Sequence, residues 1–147
     1  MTPRAESVVL ANLDVVGVAG LERRPASLVF VHGMWGGAWV WEHWLPFFAA
    51  RGWDGYAINL RGRAGSRPVA DIGRVPLADY IEDVAAVARQ LGDVVVVGHM
   101  VPLGPRWQQV ARDVAAWLAA LTEQGPHDMP RVAQSSRPRH ESAMLST

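Results

Sequence analysis

The chain has 147 residues, half of them hydrophobic and 19% charged, with fourteen basic residues balancing fourteen acidic ones. That length suits one domain, and an apolar composition with seven tryptophans belongs to a globular body and not to a disordered chain. Zero net charge without interleaved basic and aromatic residues argues against a nucleic-acid or membrane-surface partner, and the lack of cysteine excludes disulfides, thiolate metal sites and cysteine nucleophiles.

The N-terminus MTPRAESVVL has no apolar signal region, and no apolar run approaches the roughly 20 residues that span a bilayer, so the expected location is cytoplasmic. Every basic residue is an arginine, which with abundant Ala, Gly, Val and Pro predicts a GC-rich, bacterial coding sequence.

In chain order, SVVLANLDVVGV at 7–18 predicts a hairpin-like pair of short strands, with Asn12 and Asp14 breaking the β-branched run. LVFV at 28–31 is a continuous apolar run ending in His32-Gly33, the pattern of a central strand buried on both faces. Trp41, Trp44, Leu45 and Phe48 then recur at helical spacing, with Pro46 starting a fresh turn and Gly52 ending the helix. WDGYAINL at 53–60 returns to strand character, and RGRAGSRP at 61–68 is a glycine-rich loop.

Leu77 to Leu91 predicts a helix with Leu77, Tyr80, Ile81, Val84, Val87 and Leu91 on one stripe, Pro76 in its first turn and Gly92 at its C-cap. Asp79, Glu82 and Asp83 favour its positive end and Arg89 its negative end. Val94 to Val97 reads as another strand buried on both faces. The order strand, helix, strand, helix, strand implies right-handed crossovers and a parallel sheet with helices on both faces. A last helix, Pro105 to Leu121, carries Trp107, Val110, Ala111, Val114, Trp117, Leu118 and Leu121 on one stripe. Residues 125–147 have no periodicity and are rich in Ser, Pro and Arg, so a disordered tail is expected after a domain spanning 1–124.

A strand ending in His-Gly, a Gly- and Trp-rich loop, a helix, a strand ending in NLRGRAGS, an acidic helix and VVVVGH together resemble the N-terminal half of the α/β-hydrolase fold family over residues 28–99. The resemblance implies a truncated α/β-hydrolase-like parallel sheet flanked by helices, of small-molecule ester or acyl hydrolase ancestry, with no cofactor and no metal. It implies that the turn at His32 and Gly33 presents the Met34 backbone amide, with Trp35 beside it, as an oxyanion hole. Asn59 stands where the family has Asp, and Arg63 where it has His.

The family's fifth strand ends in G-x-S-x-G, a strained elbow that exposes the nucleophile. Here Gly98-His99 is followed by Met100, Val101 and Pro102: a thioether replaces the hydroxyl and a proline the second glycine. GHMVPLGPRWQQVARDVAAWLAAL instead resembles the family's last motif, which delivers the catalytic histidine, so two motifs share Gly98-His99. The segment between them, with the serine, cap, later strands and acid loop, is then missing.

His99 is therefore the catalytic candidate, set against a structural remnant, because a base needs a nucleophile to activate and an acid to orient it. His32 reads as a hydrogen-bonded turn residue, Ser66 as a turn former, Asp93 as a poor orienting acid at the far end of the sheet, and His127 and Asp128 as tail residues. Trp35, Trp39, Trp41 and Trp44 read mostly as core, with an apolar pocket as the functional alternative. The expectation is a catalytically impaired hydrolase. The alternatives are a non-catalytic module, binding a small apolar ligand or assembling with itself through an exposed strand edge, or an internal-deletion product with no function.

Overall fold

The β-branched N-terminal segment folds back on itself as β1 (Ala5–Leu10) and β2 (Leu13–Val18), paired antiparallel. The two residues between them, Ala11 and Asn12, both have positive φ, 50° and 66°, which gives a two-residue turn the twist its strands need. Alanine resists that conformation. It is held there by Gln90, whose Oε1 accepts from the Ala11 N–H at 3.1 Å, and by Arg67, whose backbone N–H donates to the Asn12 carbonyl at 3.1 Å. The computed structural model describes residues 3–22, 24–98 and 106–123.

The apolar runs form β3 (Ser27–Val31), β4 (Gly55–Ile58) and β5 (Val94–Gly98). Together with the hairpin they make one five-stranded sheet in the order β1-β2-β4-β3-β5. β3 pairs parallel with β4 on one side and β5 on the other, while β2 joins β4 antiparallel, so the sheet is mixed. The connections are α1 (Trp44–Ala49) between β3 and β4 and α2 (Leu77–Leu91) between β4 and β5, followed by α3 (Trp107–Glu123).

Alternation along β3 divides the core. Leu28 and Phe30 face α1 and α3, joining Trp41, Trp44, Leu45, Phe48, Ala111 and Leu118; Val29 faces α2, joining Leu13, Val15, Ile58, Tyr80 and Val87. On the α1 face the rings interlock, with Trp41 edge-on to Trp44 at 5.4 Å and Phe30 5.1 Å from Trp41. Such pairs add about 0.5–1.5 kcal/mol each beyond their burial.

Four local expectations change. The helix over the tryptophans is split into a 3-10 turn (Ala38–Trp41) and the short α1, because Pro46 has no N–H to donate back to Glu42. Trp41 and Trp44 are core, but Trp35 and Trp39 are 90% and 59% exposed. Among the described residues β5 is an edge strand, as the loss of the later strands implies, and not a doubly buried one: Val95 and Val97 pack towards α3, while Val96 is 51% exposed on the α2 side. Leu77 and Ile81 of α2 and Trp117 of α3 are likewise exposed. The tail expected over 125–147 lies outside the described residues.

Candidate functional site

The site begins where β3 ends. The Gly36 N–H donates to the Gly33 carbonyl at 3.0 Å, closing a turn with Met34 and Trp35 at its corners. The chain packs closely just beyond: a Cβ on Gly36 would lie 3.1 Å from the His32 Cβ, and one on Gly37 3.0 Å from Asn59 Oδ1, so a larger residue would push on both neighbours. Among the described residues, neither the Met34 nor the Trp35 N–H has a hydrogen-bond partner.

His32 lies buried behind this turn. Its Nε2 accepts from the Leu60 N–H at 3.2 Å, which places the ring proton on Nδ1, 2.7 Å from the Gly33 carbonyl it donates to. Burial pushes its pKa below the usual histidine value, with the Arg63 charge adding and the bond to the Gly33 carbonyl opposing. The imidazole is thus held neutral with both nitrogens engaged. It shapes the turn and has no free nitrogen for proton transfer.

Arg63 ties the turn down from the other side. Its Nη2 donates to the Met34 carbonyl, its Nη1 to the Arg61 carbonyl at 3.1 Å, and its guanidinium lies 5.6 Å from the Tyr80 ring centroid. Since C=O and N–H of a trans peptide point opposite ways, fixing the Met34 carbonyl towards Arg63 turns the Trp35 N–H away from it.

Asn59 anchors the Gly- and Trp-rich segment after β3. Its Oδ1 accepts from the Ala38 N–H at 2.8 Å and its Nδ2 donates to Asp14 Oδ2 at 2.9 Å. Ser66 accepts from the Asp14 N–H at 2.8 Å and donates to the Asn59 carbonyl, so its buried hydroxyl is a clamp between β2 and β4 and not a nucleophile. Asp83, expected only to favour the positive end of α2, is instead buried and takes a bidentate pair from Arg61, through Nε at 3.0 Å and Nη2 at 2.7 Å. That pairing raises the Arg61 pKa. The missed signal was an acidic residue flanked by the buried positions Tyr80 and Val87 of one stripe.

A half-open apolar trough of about 540 Å³ runs from the turn along α2, walled by Met34, Leu60, Tyr80, Ile81, Ala85 and Val96, with His32 and Arg63 at one end. Of the turn residues, His32 and Met34 line this trough, while Gly33 and Trp35 do not; His99, one residue past Gly98, lies outside the described residues, as do Met100 and Pro102. Asp93 sits where β5 starts, its carbonyl accepting from the Ser27 N–H at 2.9 Å at the opposite end of β3 from the turn. No group of three or more His, Asp or Glu suited to a metal exists among the described residues, and no described helix is long and apolar enough to cross a membrane.

Residues 28–99 match the profile of the Alpha/beta hydrolase family. The chain is similar in structure to an epoxide hydrolase from an endophytic Streptomyces, with 28% identity and TM-score 0.53 over 67% of this chain and 30% of that one. An epoxide hydrolase from Vigna radiata gives 20% identity and TM-score 0.53 over 67% and 30% of the two chains. The thioesterase domain from the curacin biosynthetic pathway gives 16%, 0.52, 67% and 37%. No curated protein matches in sequence. The chain spans about a third of the length of these solved structures. The strand order, the His-Gly turn and the family match over 28–99 agree, and the chain has an α/β-hydrolase-like fold.

Proposed function

We propose that this chain descends from a small-molecule ester or acyl hydrolase and retains the oxyanion turn as a binding element without a serine to use it. The observation that carries this reading is the residue order after β5: Gly98-His99-Met100-Val101-Pro102 puts a thioether, which neither ionises nor adds to a carbonyl, where the family's elbow holds its nucleophile. Ser66 offers no substitute, because its hydroxyl is engaged on both sides.

What remains fits a small apolar molecule carrying a carbonyl or carboxylate oxygen. Its apolar part lies in the trough by Leu60 and Tyr80, and its oxygen faces the N–H groups of Met34 and Trp35. His99 then has no oxygen nucleophile to deprotonate, and its role is structural.

The test is turnover of p-nitrophenyl acetate by the pure chain beside its His99→Ala variant. Equal background rates are expected, with no burst of nitrophenol. A burst, or turnover that His99→Ala abolishes, would overturn the proposal. Met100→Ser is expected to stay inactive as well, since Pro102 still occupies the position where the elbow needs a glycine.

A further inference from the structure

The two edges of the sheet differ in a way that matters. β1 carries Glu6 and is followed by a turn fastened to Gln90 and Arg67, whereas β5 is VVVVG, with no charge, proline or bulge along its length. Unblunted apolar edges pair with other strands. Beside β5, and on the same face as the exposed Val96, α2 presents a second apolar stripe of Leu77, Ile81, Ala85 and Ala88 that nothing among the described residues covers. Edge and stripe form one continuous surface.

The geometry points to a second copy of this chain as the occupant, joined β5 to β5 antiparallel about a two-fold axis through Val96, so that the two sheets become one. Three features favour a copy over another partner. First, β5 is self-complementary about its middle residue: Val96 meets Val96, Val95 meets Val97 and Val94 meets Gly98. Second, an axis normal to the sheet puts both α2 helices on one face, with their Ile81 and Ala85 stripes turned towards each other, and alanines there permit close approach. Third, the charges along the outer rim of that stripe are antisymmetric. Glu82 and Arg89, ion-paired within one chain, flank Ala85 on either side, so antiparallel helices set Glu82 of each copy against Arg89 of the other. The pairing covers the middle of the trough and leaves its end at the Gly33–Gly36 turn open. It requires nothing of His99 and stands whether or not the turn binds a ligand.

Sedimentation velocity of the full chain at micromolar concentration is expected to show a dimer, and Val96→Glu a monomer with unchanged near-ultraviolet circular dichroism. Because the chain has no cysteine, Val96→Cys supplies a single thiol. Under mild oxidation it should cross-link to a covalent dimer, while Val9→Cys on the opposite edge, 73% exposed, should not. Glu82→Arg and Arg89→Glu should each weaken the dimer alone and form a heterodimer when mixed, an outcome the intrachain ion pair cannot produce. A monomeric wild type, a Val96→Cys chain that cross-links no faster than Val9→Cys, or failure of the two charge variants to associate on mixing would each overturn the assignment. These readouts hold even where Val96→Glu fails to fold.

Discussion

The Asn59 side-chain amide donates to the Asp14 carboxylate at 2.9 Å, coupling the end of β4 to the hairpin strand β2 while the same side chain holds the Gly- and Trp-rich segment after β3 through Ala38. This gives the asparagine at 59 a physical reason: an aspartate would still accept from Ala38 but would set a second carboxylate against Asp14.

Asn59→Asp should therefore destabilise the fold by about 1–3 kcal/mol at neutral pH. The loss should shrink towards pH 4, where one carboxyl protonates and donates again. The swapped double variant Asn59→Asp with Asp14→Asn should recover most of it. Urea midpoints from tryptophan fluorescence decide the matter; equal midpoints for wild type and Asn59→Asp would mean the contact contributes nothing.

Removing a buried carboxylate strands its partner, and removing an exposed one does not. Asp83 has a fully buried side chain and accepts from the Arg61 backbone N–H as well as its guanidinium, whereas the Asp79 side chain, 2.6 Å from the same guanidinium, is 47% exposed. Asp83→Ala should cost about 3–5 kcal/mol. Asp79→Ala should cost less than about 1 kcal/mol in the same denaturation experiment.

His32 has a folded-state pKa below its ordinary value of 6.5, so the folded chain binds this proton less readily than the unfolded chain. Its contribution to stability is full above about pH 6.5 and declines as the pH falls below that, until the folded-state pKa is passed. The midpoint difference between wild type and His32→Gln should accordingly narrow from pH 7.5 to pH 5. A difference that widens on acidification would contradict the neutral, doubly bonded ring.

Two glycines separate crowding from backbone conformation. A Cβ on Gly20 would sit 2.6 Å from the Gly52 carbonyl carbon, so Gly20→Ala must move the backbone, at about 3 kcal/mol. Gly92 caps α2 with φ +89° and open space around it, so Gly92→Ala should cost about 1 kcal/mol from the dihedral alone. Thermal melts of both variants give the order directly.

Periodicity and punctuation within the chain determined the hairpin, the central strand, the bounds of α2 at Leu77 and Leu91 and the α/β class, because these depend on local spacing and on where Gly and Pro interrupt it. The absence of a serine after Gly98 was also legible in the sequence, since it is a matter of residue identity. The tertiary structure alone decided which apolar side chains of the helices and turns stay uncovered: Ile81 shares a stripe with buried Tyr80, and exposed Trp39 lies two positions from buried Trp41. It alone decided that Arg63 grips the Met34 carbonyl, that Asn59 joins Asp14 and that Asp83 is buried on Arg61. Those partners lie 29, 45 and 22 positions apart, and no local pattern carries a contact that only chain crossing in space creates.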